Sequence, residues 1–167
     1  MENLVNYLNK NQPFVLIMVG PPLSGKSTYI RKLEEVLNFK VVCRDDIIME
    51  LSDSDDYNIS FNSVDQKKVD FILKNRMIEY SSNKENVVVD MTNLTSKRRK
   101  SNLNYFDNDY NKVALVFPIL SFDEYSSRNK KRKEEENKNI SVSIWQSMVN
   151  NFQTIKLEEG FNKVFSL

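Results

Sequence analysis

Residues 20–28 combine two glycines, a lysine and a serine at a spacing that is typical of phosphate binding. The pattern Gly-x-x-x-x-Gly-Lys-Ser begins at Gly20 and ends at Ser27, directly after the apolar run 14–19. The two glycines permit a tight turn in which backbone N–H groups approach phosphate oxygens closely. The pattern therefore predicts a phosphate-binding loop between a buried strand and a helix.

The positions of this loop predict what it would bind. Lys26 is expected to reach the β- and γ-phosphates of a nucleoside triphosphate, and the Ser27 hydroxyl is expected to ligate Mg²⁺. The other loop residues expected to contact the nucleotide are Gly20, Pro21, Ser24, Gly25 and Thr28. ATP, or another nucleoside triphosphate, and Mg²⁺ are therefore the expected donor and metal.

Carboxylates end two further apolar runs. Asp45 and Asp46 follow the run 39–43, and Asp90 closes the run 87–89. The sequence contains no histidine, so a carboxylate is the expected proton acceptor for a hydroxyl in line with the γ-phosphate. We assign this role to Asp45, a helix N-cap to Asp46 and a magnesium-site role to Asp90, for which a helix cap is the alternative.

Two basic clusters lie in the second half of the chain, at residues 97–100 and 128–133. A solvated helix face is the ordinary interpretation of such a run. The second cluster follows the last predicted strand, where a mobile charged lid would lie over the phosphates. An arginine of that lid, with Arg128 and Arg132 as candidates, could offset the charge that grows on the departing nucleoside diphosphate.

Apolar periodicity predicts the elements that position these residues. The expected strands are 14–19, 39–43, 87–90 and 113–120. The expected helices are 2–10, 25–38, 61–82, 95–106, 122–137 and 141–158, with a loop at 52–60. This alternation predicts an α/β P-loop NTPase fold, with a parallel sheet of four to five strands and helices on both faces. Ligands bind beyond the carboxyl ends of such strands, so the loop and the carboxylates should share one edge of a single domain spanning 1–167.

Composition narrows the protein class. The 24 basic and 23 acidic side chains nearly cancel, which does not indicate a general attraction to nucleic acid. No apolar run is long enough for a membrane span, and the N-terminus lacks the pattern of a signal peptide. The single cysteine, Cys43, allows no internal disulfide, so a reducing, cytoplasmic setting is expected.

Several motifs in order resemble the kinase half of the phage polynucleotide kinase-phosphatase. They are the loop Gly20–Thr28, Arg44-Asp45-Asp46, Asp90-Met91-Thr92-Asn93-Leu94 with Arg98-Arg99, and Arg128-Asn129-x-x-Arg132. The resemblance covers most of the chain. It implies transfer of the γ-phosphate of ATP to the 5′-hydroxyl end of single-stranded DNA or RNA, in nucleic-acid repair.

The resemblance also implies individual roles. Asp45 would be the general base, Asp90 a supporting acid and Arg132 the lid arginine, with Arg128 as a further lid residue. The residues expected to bind the acceptor are Arg44, Asp45, Asn93, Arg98 and Arg99. Ile48 departs from the family, which has an acceptor-binding arginine there. Either Arg44, Arg98 or Arg99 replaces that arginine, or the acceptor differs.

Two other functions are compatible with the same motifs. A kinase for a small hydroxylated metabolite or nucleoside would use the same loop, base and lid. A nucleotide-dependent switch is a further alternative, although a GTPase is disfavoured because the only glycine beyond the loop is Gly160 and the guanine-binding Asn-Lys-x-Asp is missing. For a polynucleotide, the basic clusters could form an entrance, and Tyr105 and Phe106 could stack a terminal base if they are not core residues.

Overall fold

Five parallel strands form the central sheet of the computed structural model, which describes residues 1–167. The strands are β1 (Phe14–Val19), β2 (Lys40–Cys43), β3 (Val87–Asp90), β4 (Asn111–Val116) and β5 (Lys163–Ser166). Their order across the sheet is β2-β3-β1-β4-β5, and every neighbouring pair is parallel. The predicted α/β fold with a parallel sheet of four to five strands is confirmed.

Eight helices surround the sheet. They are α1 (Glu2–Lys10), α2 (Lys26–Glu34), α3 (Arg44–Leu51), α4 (Tyr57–Ser63), α5 (Gln66–Ser82), α6 (Ser96–Leu103), α7 (Phe122–Glu136) and α8 (Val142–Asn150). A short 3₁₀ turn at Leu157–Glu159 precedes β5. No helix combines the length and the apolar character that a membrane span requires.

The central strand β1 is buried on both faces, because its side chains alternate between two cores. Val15, Ile17 and Val19 pack with side chains of α3 and α5, which include Ile47, Val69, Leu73 and Met77. Phe14, Leu16 and Met18 pack on the other face with side chains of α1 and α2, which include Leu4, Leu8, Ile30 and Leu33. The continuous apolar run of β1 therefore reflects a strand covered by helices on both sides.

The prediction of one helix over 61–82 is wrong, because the chain forms two helices there. Asp65 lies between them, and its carboxylate accepts the backbone N–H of Lys67 and caps α5. Phe61 and Phe71, which suggested the periodicity, are 43% and 63% exposed. The predicted loop at 52–60 is also too long, because α4 begins at Tyr57.

Other differences concern element ends. Helices α2 and α6 end before the predicted limits, and β4 ends before Pro118, a residue that cannot donate to a sheet. The helix predicted at 141–158 ends at Asn150. The sequence analysis missed β5, a short edge strand whose side chains are only partly buried. Its pattern lacks the apolar run that marks the inner strands.

Candidate active site

The two glycines of the predicted phosphate-binding loop meet different structural requirements. The backbone N–H of Gly20 donates to the carbonyl of Thr92 at 3.0 Å, which ties the start of the loop to the chain leaving β3. A Cβ atom on Gly20 would lie 2.8 Å from Phe117 Cβ and 2.9 Å from Ser24 Oγ. Gly25 has open space around it, but its φ of 100° disfavours any other residue. Both glycines therefore shape the loop that precedes α2.

Lys26 lies folded across this loop. Its ammonium donates to the carbonyl oxygens of Gly20 at 2.9 Å and Pro21 at 2.7 Å, and its side chain is nearly buried. The lysine is therefore held at the concave side of the loop, where the phosphates of a nucleotide would compete for the same donor groups.

The charges of three other predicted site residues act on Lys26. Burial lowers the pKa of Lys26 to about 8, although the carboxylates of Asp90 and Asp45 favour its charged form. The guanidinium of Arg132 lowers this pKa further. Lys26 follows β1, Asp90 ends β3 and Asp45 follows β2, and these three parallel strands are neighbours, so the three residues share the carboxyl edge of the sheet.

Ser27 and Asp90 form a pair suited to Mg²⁺. The Ser27 hydroxyl donates to Asp90 Oδ2 at 3.0 Å across the gap between α2 and β3. Burial raises the pKa of Asp90, whereas the Lys26 ammonium and the Ser27 hydroxyl favour its carboxylate form. Mg²⁺ prefers oxygen ligands and usually combines one or two protein groups with phosphates and waters. The donor set therefore fits a magnesium ion that binds together with a nucleotide.

Asp45 lies in the first turn of α3, two residues beyond the end of β2. The phenol of Tyr57 donates to Asp45 Oδ1 at 2.7 Å, and Oδ2 accepts no hydrogen bond from the protein. Burial and, to a smaller extent, the negative charge of Asp45 raise the pKa of Tyr57. The phenol therefore keeps its proton and stays a hydrogen-bond donor. One carboxylate oxygen is therefore fixed in place, and the other can accept a proton. The sequence analysis missed Tyr57 because it placed that residue in a loop.

The helix-capping role predicted for Asp46 is wrong. Helix α3 begins at Arg44, so Asp46 is its third residue and the N-cap position belongs to Cys43. The Asp46 side chain is exposed, and its backbone N–H is directed at the Cys43 sulfur. Burial raises the pKa of the Cys43 thiol to about 12, which keeps the thiol protonated.

Helix α7 occupies the predicted lid position. A capping box between Ser121 and Glu124 begins the helix. Arg128 Nη1 donates to the Leu23 carbonyl of the phosphate-binding loop at 3.0 Å, and Arg132 Nε donates to Glu136 at 3.2 Å. The charged helix therefore contacts the loop through Arg128, whereas the role of Arg132 at the phosphates and the mobility of the helix stay predictions.

The far end of α7 contacts α4. Asn58 Nδ2 donates to the Asn137 carbonyl at 3.0 Å, and the Asn137 side chain donates to the Asp56 carboxylate. Asp56 is also the N-cap of α4. Helix α7 and the residue that ends it therefore extend from the phosphate-binding loop to α4, the helix that carries Tyr57.

Arg99 and Asn93 were expected to bind the acceptor, and the structure contradicts this expectation. Arg99 is completely buried and donates from Nε and Nη2 to the two carboxylate oxygens of Glu159, each at 2.7 Å. Asn93 is 1% exposed; its amide donates to the Met18 carbonyl and accepts from Asn102. Both side chains are satisfied in the interior, where they hold the chain that follows Asp90.

The other residues expected to bind the acceptor, Arg44 and Arg98, have different surroundings. Arg44 donates to Gln66 at 2.8 Å and to Asp70 at 3.3 Å, both on α5. Arg98 is exposed and forms no ion pair, so its acceptor role stays a prediction. Ile48 is completely buried in the core, and Phe106 is buried there too. Ile48 and Phe106 are therefore core residues.

The sheet order, the loop between β1 and α2, and the carboxylates at the same edge define a P-loop kinase-like domain. The sequence model of a family described as AAA domain matches residues 15–155, so the chain belongs to this family. No curated protein sequence gives a match.

Solved structures share this fold. A chain in the structure of the Pnkp1/Rnl/Hen1 RNA repair complex is 25% identical with a TM-score of 0.69, over 84% of this chain and 44% of that one. A gluconokinase from Sinorhizobium meliloti 1021 is 14% identical with a TM-score of 0.57, and the match covers 94% of this chain and 83% of the gluconokinase. Chaetomium thermophilum Kti12 in complex with ADP-AlF3 is 15% identical with a TM-score of 0.61, and the match covers 92% of this chain and 88% of Kti12. The present chain thus spans less than half of the matched chain from the RNA repair complex.

Proposed function

We propose that residues 1–167 form one kinase domain that transfers the γ-phosphate of ATP to the 5′-hydroxyl end of single-stranded DNA or RNA. The observation that carries this proposal is the position of Asp45. Its carboxylate lies at the same sheet edge as the Lys26 loop, because β2 and β1 both flank β3 in parallel, and it has one oxygen free of protein partners. An acceptor hydroxyl between that oxygen and the γ-phosphate would be placed for transfer.

The chain's own residues account for the steps of this reaction. The acceptor hydroxyl gives its proton to Asp45 as its oxygen bonds to the γ-phosphorus, and the bond from that phosphorus to the bridging oxygen breaks to release ADP. Lys26 and Arg132 offset the charge on the transferred phosphoryl group and the departing ADP. A magnesium ion held by Ser27 and Asp90 would add charge neutralisation at the phosphate oxygens.

Two observations favour a polynucleotide acceptor. The motifs at Arg44–Asp46, Asp90–Leu94 and Arg128–Arg132 occur in the order of the polynucleotide kinase that they resemble. A chain of an RNA repair complex is similar over 84% of the present chain. Together they support a role in nucleic-acid repair.

The alternative acceptor is a small hydroxylated metabolite or nucleoside. The fold matches a gluconokinase over 94% of this chain, and it also matches a sugar kinase from Janibacter sp. HTCC2649 over 92%. The buried Ile48 also favours this alternative, because it offers no charge to an acceptor phosphate, and Arg44, the cation of α3, is already bonded to Gln66 and Asp70.

Transfer of label from γ-labelled ATP discriminates between the two acceptors. We expect label on DNA or RNA oligonucleotides that begin with a 5′-hydroxyl, and none on the same oligonucleotides carrying a 5′-phosphate. Gluconate, other sugars and free nucleosides are assayed in parallel. Label on a small acceptor with none on any oligonucleotide would replace this proposal with the alternative.

A further inference from the structure

An additional cation lies on the acceptor side of the candidate site. The ammonium of Lys138 lies 4.5 Å from the centre of the Tyr57 ring. The hydroxyl of the same ring donates to Asp45 at 2.7 Å. The lysine and the carboxylate that is proposed to accept the proton therefore contact the same side chain, the lysine over the ring of Tyr57 and the carboxylate at its hydroxyl.

The residue before Lys138 is held against α4 by hydrogen bonds. Lys138 follows Asn137, which has a φ of 52° and ends α7 in a left-handed turn. Asn137 is bonded to Asn58 and to Asp56, the residue that caps α4 directly before Tyr57. The junction that positions the Tyr57 ring therefore also positions the lysine over it.

The ammonium has no anionic partner in the protein. Lys138 is half-buried, yet it forms no ion pair, whereas Lys84 pairs with Asp107 and Lys131 with Glu135. A ring face attracts a cation but does not neutralise it. An anion supplied by a ligand would complete the surroundings of this lysine.

The acceptor is the molecule able to supply that anion. The phosphates of the donor would lie at the Lys26 loop, whereas Asp45 and Tyr57 mark the side from which the hydroxyl would approach. In a polynucleotide, a phosphodiester lies one sugar away from the terminal 5′-hydroxyl, so a strand whose hydroxyl meets Asp45 brings a phosphate to the neighbourhood of Tyr57.

We propose that Lys138 binds the first phosphodiester on the 3′ side of the terminal 5′-hydroxyl. This inference rests on the proposed polynucleotide kinase function and names the residue that selects its acceptor class. The contact reads the backbone and no base, so it suits an enzyme that acts on strand ends of any sequence.

Steady-state kinetics of Lys138→Ala test the inference. The acceptors are a 5′-hydroxyl oligonucleotide, a nucleoside 3′-monophosphate and the corresponding nucleoside. We expect KM for the two phosphate-bearing acceptors to rise about tenfold or more, because a charge-assisted contact is lost. KM for ATP and turnover of the nucleoside should stay unchanged, and Lys138→Arg should restore most of the lost affinity.

Lys163→Ala is the matched control. The Lys163 ammonium also lies over an aromatic ring, at 5.9 Å from the centre of Phe165, but at the amino end of β5, the sheet edge opposite the site. This control should behave as the wild type. If Lys138→Ala melts at a lower temperature, Lys138→Met replaces it, since methionine keeps an apolar stem over the ring without the charge.

The salt dependence of oligonucleotide binding gives an independent readout. Loss of one phosphate contact to a single strand should reduce the slope of log K against log salt concentration by about 0.7. KM values and a salt slope equal to those of Lys163→Ala would overturn this inference alone. A wild-type protein that phosphorylates no oligonucleotide would overturn the proposed function and this inference with it.

Discussion

Among the individual residues, Lys26 links the electrostatics of the site to nucleotide binding. Burial lowers its pKa to about 8 in the protein without nucleotide. The phosphates of ATP favour the charged ammonium, so their arrival must raise this pKa. The protonation state of this lysine should therefore affect the affinity of the loop for nucleotide as the pH rises through about 8.

We expect ATP to bind more weakly as the pH rises through about 8, because deprotonated Lys26 no longer attracts phosphate. Near pH 8 the bound nucleotide should therefore draw a proton onto the lysine. Calorimetry in two buffers of different ionisation enthalpy measures this proton uptake. Lys26→Arg should lose the uptake, since a guanidinium stays charged. Equal uptake in wild type and Lys26→Arg would contradict this account of Lys26.

Tyr57 orients the proposed base through a single hydrogen bond. Tyr57→Phe should lower kcat for 5′-hydroxyl ends about tenfold or more and leave KM for ATP unchanged, because the bond to a charged group is lost while the ring remains. Tyr7→Phe is the control, since the Tyr7 hydroxyl donates to Asn111 in the first position of β4. A kcat for Tyr57→Phe that equals that of Tyr7→Phe would exclude this role.

At the level of elements, the turn from β1 to α2 has a steric requirement at Gly20 and a conformational one at Gly25. Gly20→Ala would force Phe117 to shift, because the new Cβ would lie 2.8 Å from Phe117 Cβ. We expect a loss of about 1–3 kcal/mol in the free energy of unfolding, measured by urea denaturation. Gly25→Ala should cost about 1–2 kcal/mol through backbone strain alone. If Gly20→Ala were as stable as the wild type, the turn would have room for a Cβ atom at this position, and the steric requirement would be refuted.

The elements also show which parts of the fold the sequence could predict. The apolar runs of β1 and β3 predicted buried parallel strands correctly, since both faces of these strands are covered by helices. The division into α4 and α5 depends on the capping by Asp65, a local contact that apolar periodicity does not reveal. Strand β5 depends on pairing with β4, which is a tertiary contact without a strong local pattern.

The site was predictable where a motif defined it and unpredictable where tertiary contacts did. The loop motif and the strand-end carboxylates located Lys26, Ser27, Asp45 and Asp90 at one sheet edge. Tyr57 and Lys138 are brought to that edge by helix packing and by the turn after α7. Arg99 shows the converse error, because its place in a basic run suggested exposure although it is buried against Glu159.

At the scale of the whole molecule, the Arg99–Glu159 pair joins the C-terminal segment to the chain that follows β3. Arg99 also donates to the carbonyls of Asn93 and Leu94, at 3.1 and 3.0 Å. The pair therefore stabilises the turn that begins at Asp90, and its contribution to catalysis is indirect.

Removing one partner of this buried pair should destabilise the protein. Arg99→Ala or Glu159→Gln is expected to lower the free energy of unfolding by about 3–5 kcal/mol, measured by urea denaturation at pH 7. The hydrogen bonds from Arg99 hold the pKa of Glu159 below its ordinary value of 4.5 despite burial. The stabilisation should therefore be complete above that pH and lost as the pH falls through the lowered value. Unchanged stability in both variants would refute a structural role for the pair.

The most direct measurement is single-turnover phosphoryl transfer by Asp45→Asn, with γ-labelled ATP and a 5′-hydroxyl oligonucleotide. We predict that transfer slows about 100-fold or more while ATP binding is retained, because only the proton acceptor is removed. Asp46→Asn is the neighbouring control and should retain activity, since the Asp46 side chain is exposed. Equal transfer rates in Asp45→Asn and Asp46→Asn would contradict the assignment of Asp45 as the base.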